Sequence, residues 1–150
     1  YMKVFIFLFL ISSLFISKSF ADTKYSELVE LNKSNDPKKI IKLIDNLILG
    51  FDIETSFIKD CANHLKIFKE KSNDKCTKVY NRGDSMMRLI EILSSKDFEN
   101  NLMSLAKKID NKTIDFISVK DLEKKLELLI KKNKEFNDAT SSVTFLMQNL

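Results

Sequence analysis

The sequence predicts an all-α protein, a compact bundle of about four main helices with short additional helices and a long amphipathic helix at the C-terminal end. Three observations predict it. The first is turn chemistry: 150 residues carry two glycines and one proline, whereas all-β and βαβ folds use both residues freely in turns. The second is periodicity. Apolar residues recur at steps of three and four in most of the chain, which places them on one face of a helix. The third is the last fifth of the sequence. From Val119 the stripe continues through Leu122, Leu126, Leu129, Asn133, Phe136, Thr140, Val143, Met147 and Leu150, with Asn133 and Thr140 its two polar positions. Lysines and acids fill the other face, so this helix needs neighbours to cover it.

The beginning of the chain has a different role. Lys3 precedes an apolar run over 4–16, interrupted by Ser12 and Ser13, and Ser19-Phe20-Ala21 then puts small residues at the −3 and −1 positions of a cleavage site. This is the pattern of a secretory signal peptide cut between Ala21 and Asp22. The run is too short for a spanning helix, which needs ~20 apolar residues. Residues 1–21 are therefore expected to be removed, leaving 22–150 as a single helical domain, periplasmic or secreted, with no transmembrane span. Tyr1, ahead of Met2, plays no part in this pattern.

The elements follow in order. Thr23 can cap a first helix over 23–32, to which Tyr25, Leu28, Val29 and Leu31 give a modest apolar face. Asp36 and Pro37 start a second: the carboxylate accepts free amide protons, and proline at the first position loses nothing. Its face is Ile40, Ile41, Ile44, Leu47 and Ile48, and Gly50 is the expected left-handed stop. A third helix from Asp52 has the seam Ile58, Cys61, Leu65 and Phe68 and ends in a polar turn over 71–75. Residues 76–93 repeat the spacing with Cys76, Val79, Gly83, Met86, Ile90 and Leu93. Ser94 and Ser95 interrupt or recap, and Phe98, Leu102, Leu105 and Ile109 form another stripe. After a loop over 110–113 and a short apolar connector over 114–117, Ser118 and Asp121 form a capping box for the final helix. Residues 137–144 are rich in Asn, Asp, Thr and Ser, mediocre helix-interior residues, so a kink or break is expected there. Short loops predict antiparallel neighbours.

Composition excludes some functions. Without Lys3 and Lys18, 23 of the 25 basic residues remain against 21 acidic ones. Nucleic-acid binding normally shows as a strongly basic face, so no nucleic-acid partner is expected. The one histidine, His64, lies three residues after Cys61. A catalytic base, or a haem ligand with Met86 or Met87, is one reading; a half-buried residue at the seam edge is the other. No Cys/His/carboxylate cluster has metal-ligand spacing, and no phosphate loop, nucleophile elbow or metalloprotease helix is present. The expectation is a non-enzyme without cofactor or metal. Asn32-Lys33-Ser34 and Asn111-Lys112-Thr113 fit glycosylation sequons, which matter only in a eukaryotic source.

Three further features carry alternatives. Arg82-Gly83-Asp84-Ser85 resembles the integrin-recognition tetrapeptide, which works from an exposed loop tip with Arg and Asp splayed; against this, Gly83 marks a helix break with Asp84 capping the next helix. Asn133 and Thr140 either set register or face a partner, or they turn toward water. Cys61 and Cys76 are expected to pair in an oxidising compartment, or else stay reduced as small apolar seam residues. Pairing requires either that the helix stop near Leu65 or that 71–75 run extended back along it, because bridged Cα atoms lie within ~7 Å. Together these features predict an exported helical protein that binds a protein partner, of inhibitor, immunity, adaptor or assembly-factor type. The alternatives are a bundle carrying a small apolar ligand or haem, and a secreted effector or adhesin using Arg82 to Ser85.

Overall fold

The computed structural model describes residues 21–150, with side chains from Ser26 onward. The expected signal peptide therefore lies outside the described residues except for Ala21. Six helices and no strand occupy the described residues: α1 (Ala21–Asn32), α2 (Pro37–Phe68), α3 (Asp74–Tyr80), α4 (Gly83–Leu93), α5 (Lys96–Asp110) and α6 (Val119–Asn149). The all-α bundle is as expected. Among the described residues no helix is long and apolar enough to cross a membrane.

Two helices expected as separate are one. α2 passes straight through Gly50, which has no positive φ and is buried beside Leu47 and Phe51. An interior glycine costs about 1 kcal/mol relative to alanine. Leu47, Phe51 and Ile58, all fully buried around it, each contribute roughly 1.5–3 kcal/mol of burial, so continuity wins. The start is as expected, with the Asp36 carboxylate accepting from Lys38 N–H at 2.9 Å. The end is capped by a non-glycine, Lys69, at φ 56°. Phe68, expected in the seam, is exposed, whereas Leu43 is fully buried. At the other end of the sequence, α1 already runs through Thr23, so Thr23 is not its cap, and of its expected apolar face Leu28 and Leu31 are buried while Val29 is exposed.

The expected single run over 76–93 is split at Asn81 and Arg82 into α3 and α4. The break shifts the helical phase, so Leu89 and Ile92 face the core and Ile90 and Leu93 are only half-buried. Ser95 recaps the chain into α5, its hydroxyl accepting from Phe98 N–H. Ser118 Oγ accepts from Asp121 N–H at 3.1 Å and donates to Asp121 Oδ2 at 2.7 Å, closing the expected box at the start of α6. These bonds from Ser118, first the hydroxyl's, hold the Asp121 carboxyl below its ordinary value.

α6 neither kinks nor breaks at 137–144. The hydroxyls of Thr140 and Thr144 donate to the carbonyls of Phe136 and Thr140, both at 2.9 Å. Their polar groups are thus satisfied inside the helix. Phe136, Ala139, Thr140 and Val143 are buried, and that burial offsets the modest local propensity. Thr140 accordingly faces the core and not water, while Asn133 is half-buried.

The chain that follows the short loop after α2 runs back along it, antiparallel as expected, whereas the two longest helices, which no short loop joins, pack in the other sense. Lys125 Nζ donates to Asp45 and Lys132 Nζ to Asp52, each at 2.6 Å. The partners advance together by seven residues, so α2 and α6 run parallel. Phe51 meets Phe136 edge-on, with ring centroids 5.4 Å apart, at the heart of this packing. The intervening chain makes the return. Cys76 lies beside Cys61, Arg82 beside Glu54, and Asn101 donates to the Asn32 carbonyl. Residues 69–118 thus retrace α2 from its end to its start, and α6 sets out beside α2 again.

Candidate functional site

The cysteines are brought together. Cys61 and Cys76 sit at disulfide-bonding distance with Cα atoms 4.6 Å apart, and neither is free. The geometry corrects both expected routes. α2 does not stop near Leu65 but continues to Phe68, and the descending segment is 69–73, not 71–75. Lys69 turns the chain out of α2, and Asn73 starts α3 by accepting from Cys76 N–H at 2.9 Å. The left-handed residue makes so short a descent possible without glycine.

The Arg82 to Ser85 tetrapeptide is not presented as a loop tip. Arg82 Nε and Nη2 donate to Glu54 Oε2 and Oε1 at 2.7 and 2.6 Å, and its guanidinium stacks over the Phe57 ring, 4.4 Å from the centroid. Gly83 and Ser85 are buried, leaving Asp84 exposed in the first turn of α4. Arg82, not Asp84, is the capping residue, and it makes no side-chain cap hydrogen bond. Glu54 has no solvent exposure. A forked guanidinium fits a carboxylate with two parallel bonds, and this pair is what turns the arginine inward. Glu54 occupies a stripe position between Phe51 and Ile58, where an acid is out of place. That oddity is the sequence signal that could have identified it as a buried partner for Arg82.

His64 lies at the seam edge. It is half-buried, its ring is 4.6 Å from that of Phe68, and Nε2 is 3.6 Å from Glu70 Oε2. Met86 is buried in the core and Met87 is half-buried against it. Among the described residues, no group of three or more His, Cys, Asp or Glu side chains is placed to hold a metal ion. Burial raises the Tyr80 phenol above its ordinary pKa, and its hydroxyl faces Met147 Sδ at 4.0 Å.

The site that sequence reading missed lies along the α2–α6 seam. Its first half is closed by the ion pairs Asp45–Lys125 and Asp52–Lys132. The hydrogen bond to Asp52 is the main reason that Lys132 titrates above the ordinary lysine value. One heptad further, the same positions hold Lys59 and Ala139, and one beyond that Lys66 and Leu146. The ladder stops, and the seam opens into a groove of about 290 Å³ lined by Lys59, Ala62, Asn63, Lys66, Ala139 and Ser142. Among the described residues neither Lys59 nor Lys66 has an ion-pair partner. Helical periodicity puts Ile67 and Phe145 just outside the groove on its two shoulders, and both are strongly exposed, 71% and 65%. Exposed apolar residues also occur beside the closed half, at Leu49 and Leu128, so the opening and its charge pattern are what set the lower half apart. Compared with known proteins, the chain matches no family model, no curated protein and no solved structure.

Proposed function

We propose that this chain is an exported, non-enzymatic helical protein that works by binding another protein, and that it does so through the open half of the α2–α6 seam. The observation that carries the proposal is the groove where the ion-pair ladder ends: it has small residues on its floor, lysines along its edge and large apolar shoulders. A bundle that closes one half of a seam with ion pairs and leaves the other half open has a surface ready for a further element. Small floor residues let another backbone approach closely, and an apolar anchor ringed by polar groups is how protein interfaces are commonly built. Export is supported by the leader-like sequence over 1–21 and by a buried cysteine pair at bonding distance, both suited to an oxidising compartment.

The test is site-specific cross-linking in the native envelope or secreted fraction. A photoreactive residue at Asn63, in the groove, is expected to yield a discrete heavier adduct. The same residue at Asn100, on the exposed face of α5, is expected to yield none. Equal labelling from both positions, or none from Asn63, would count against a groove-borne partner.

A further inference from the structure

We infer that the partner presented to this groove is an amphipathic helix bearing acidic residues one heptad apart, which continues the interrupted ion-pair ladder. The inference deepens the protein-binding proposal and rests on it. Its starting point is the sign pattern along one flank of α2: Asp45, Asp52, Lys59, Lys66, each seven residues from the last. The facing positions of α6 are Lys125, Lys132, Ala139 and Leu146. The first two rungs are complete within the molecule. At the third, the sign on α2 reverses and α6 offers a methyl group in place of a charge.

That reversal has two physical consequences. Opposite charges across a helix seam hold two helices together, and e/g-type pairs of this kind also set partner choice and register in coiled coils. Lys59 and Lys66 are therefore positions of the same type with their partners left to another chain. Ala139 also removes the side chain that would have filled the gap, and Ala62 does the same from α2, so the groove floor is low enough to accept an apolar side chain. The two lysines lie about 10.5 Å apart along the helix axis at 1.5 Å per residue. A docked helix lying along the groove meets that spacing with acids at i and i+7 on one flank, and its apolar face covers Ala62 and Ala139 between the shoulders Ile67 and Phe145. Nearby acids do not fill this role: Asp138 is paired with Lys134 at 2.9 Å, and Glu70 faces His64.

Charge complementarity of this kind controls specificity and encounter rate and weakens with salt. The probe is a synthetic helical peptide with leucines on one face and glutamates at two positions seven apart, compared with a copy carrying lysines there. Fluorescence anisotropy with the isotope-labelled mature chain, and amide shift mapping of the same samples, give the affinity and the location. The glutamate peptide is expected to bind with shifts centred on Lys59, Asn63, Lys66 and Ser142, and to weaken as salt is raised. Lys59→Glu/Lys66→Glu is expected to lower its affinity by about tenfold or more and to restore binding of the lysine peptide, since swapping both signs restores the pairs. Both lysines are exposed, so the variant keeps its fold, which its thermal melt verifies; Lys59→Gln/Lys66→Gln gives a second measure with the charge removed.

Equal binding of the two peptides, shifts elsewhere, or indifference to charge reversal would overturn the inference. So would binding of the chain to phosphatidylglycerol vesicles that the glutamate peptide does not displace, or concentration-dependent self-association that buries Lys59 and Lys66; the groove would then serve a lipid surface or a second copy. If Asn63 cross-links a discrete protein but the glutamate peptide fails, the chain binds a protein through the groove by other chemistry. If neither occurs, the groove is not a binding surface at all.

Discussion

The two halves of the α2–α6 seam follow one heptad spacing and differ in what stands on its flank. In the first half Asp45 and Asp52 meet Lys125 and Lys132, and Phe51 packs edge-on against Phe136 beneath them. In the second half the same heptad positions bring Lys59 to Ala139, and a groove opens above Ala62. Parallel helices in constant register thus make a closed seam or an open one according to two side chains per turn of the pattern. The Glu54–Arg82 pair lies between the halves, and the Cys61–Cys76 link sits behind the second one. The lower half is therefore open on one flank and fastened on the other.

The largest effect is expected at the boundary. Arg82→Met leaves the Glu54 carboxylate buried without its forked partner and is expected to cost about 3–5 kcal/mol in denaturant unfolding. Adding Glu54→Leu should recover most of that loss, because replacing both members of a buried pair with apolar residues is often neutral. If the single variant unfolds at the wild-type midpoint, the pair does not hold the α3–α4 break against α2.

Next come the core positions of the closed half. Leu129→Ala is expected to cost about 2–5 kcal/mol, the usual range for a fully buried leucine. Leu129 is 2% exposed, whereas Leu126, only partly buried against the core, should cost distinctly less. Lys124→Ala on the exposed face should stay within about 0.5 kcal/mol. Equal losses at all three positions would break the assignment of the α6 face.

Reduction of the cysteine pair tests the fastening of the open half. The link closes a separation of 15 residues, for which the chain-entropy model gives about 3 kcal/mol. Thermal melts with and without reductant should differ accordingly, and Cys61→Ala/Cys76→Ala should abolish the difference. Two thiols labelled without reductant, in protein taken from the exported fraction, would show the pair unbridged.

The smallest effects are electrostatic and depend on pH. The folded pKa of Lys132 is raised, chiefly by its hydrogen bond to Asp52. Its stabilisation is therefore fully present below the ordinary lysine value and is lost as pH rises through the folded value, above about pH 10. Asp52→Asn should lower Tm slightly at neutral pH, and the gap from wild type should close in that alkaline window. Asp121 shifts the other way. Its folded pKa is lowered by Ser118, so its contribution is present above the ordinary carboxylate value and is lost as pH falls, below about pH 4. Loss of amide protection, relative to the intrinsic exchange rate, at the start of α6 in that acid window is the expected signature, and Ser118→Ala should remove its pH dependence.

What the sequence determined alone is what local chemistry specifies. Scarce glycine and proline and a three-four apolar period made the chain all-α, because those signals act within one or two turns. Asp36-Pro37, Ser95 and Ser118 started helices where expected, because a cap needs only its own first turn. Leu28, Ile44, Leu65, Leu105 and Leu129 were legible as core for the same reason. The cysteine pair was legible from the count of two and from the leader-like sequence ahead of it, and the unpaired lysines were visible as residues but not as a site.

Only the tertiary structure decided the rest. Gly50 and the 137–144 stretch look like breaks locally and are not, because packing of Phe51 on Phe136 and burial of Thr140 exceed the propensity cost. Arg82 stands locally at a helix break that could equally have been an exposed tip, and it is Glu54, 28 residues away, that takes it inward. The groove depends on register between segments about 80 residues apart in the chain. Such register is set by the summed fit of two whole helices, so no window of sequence contains it.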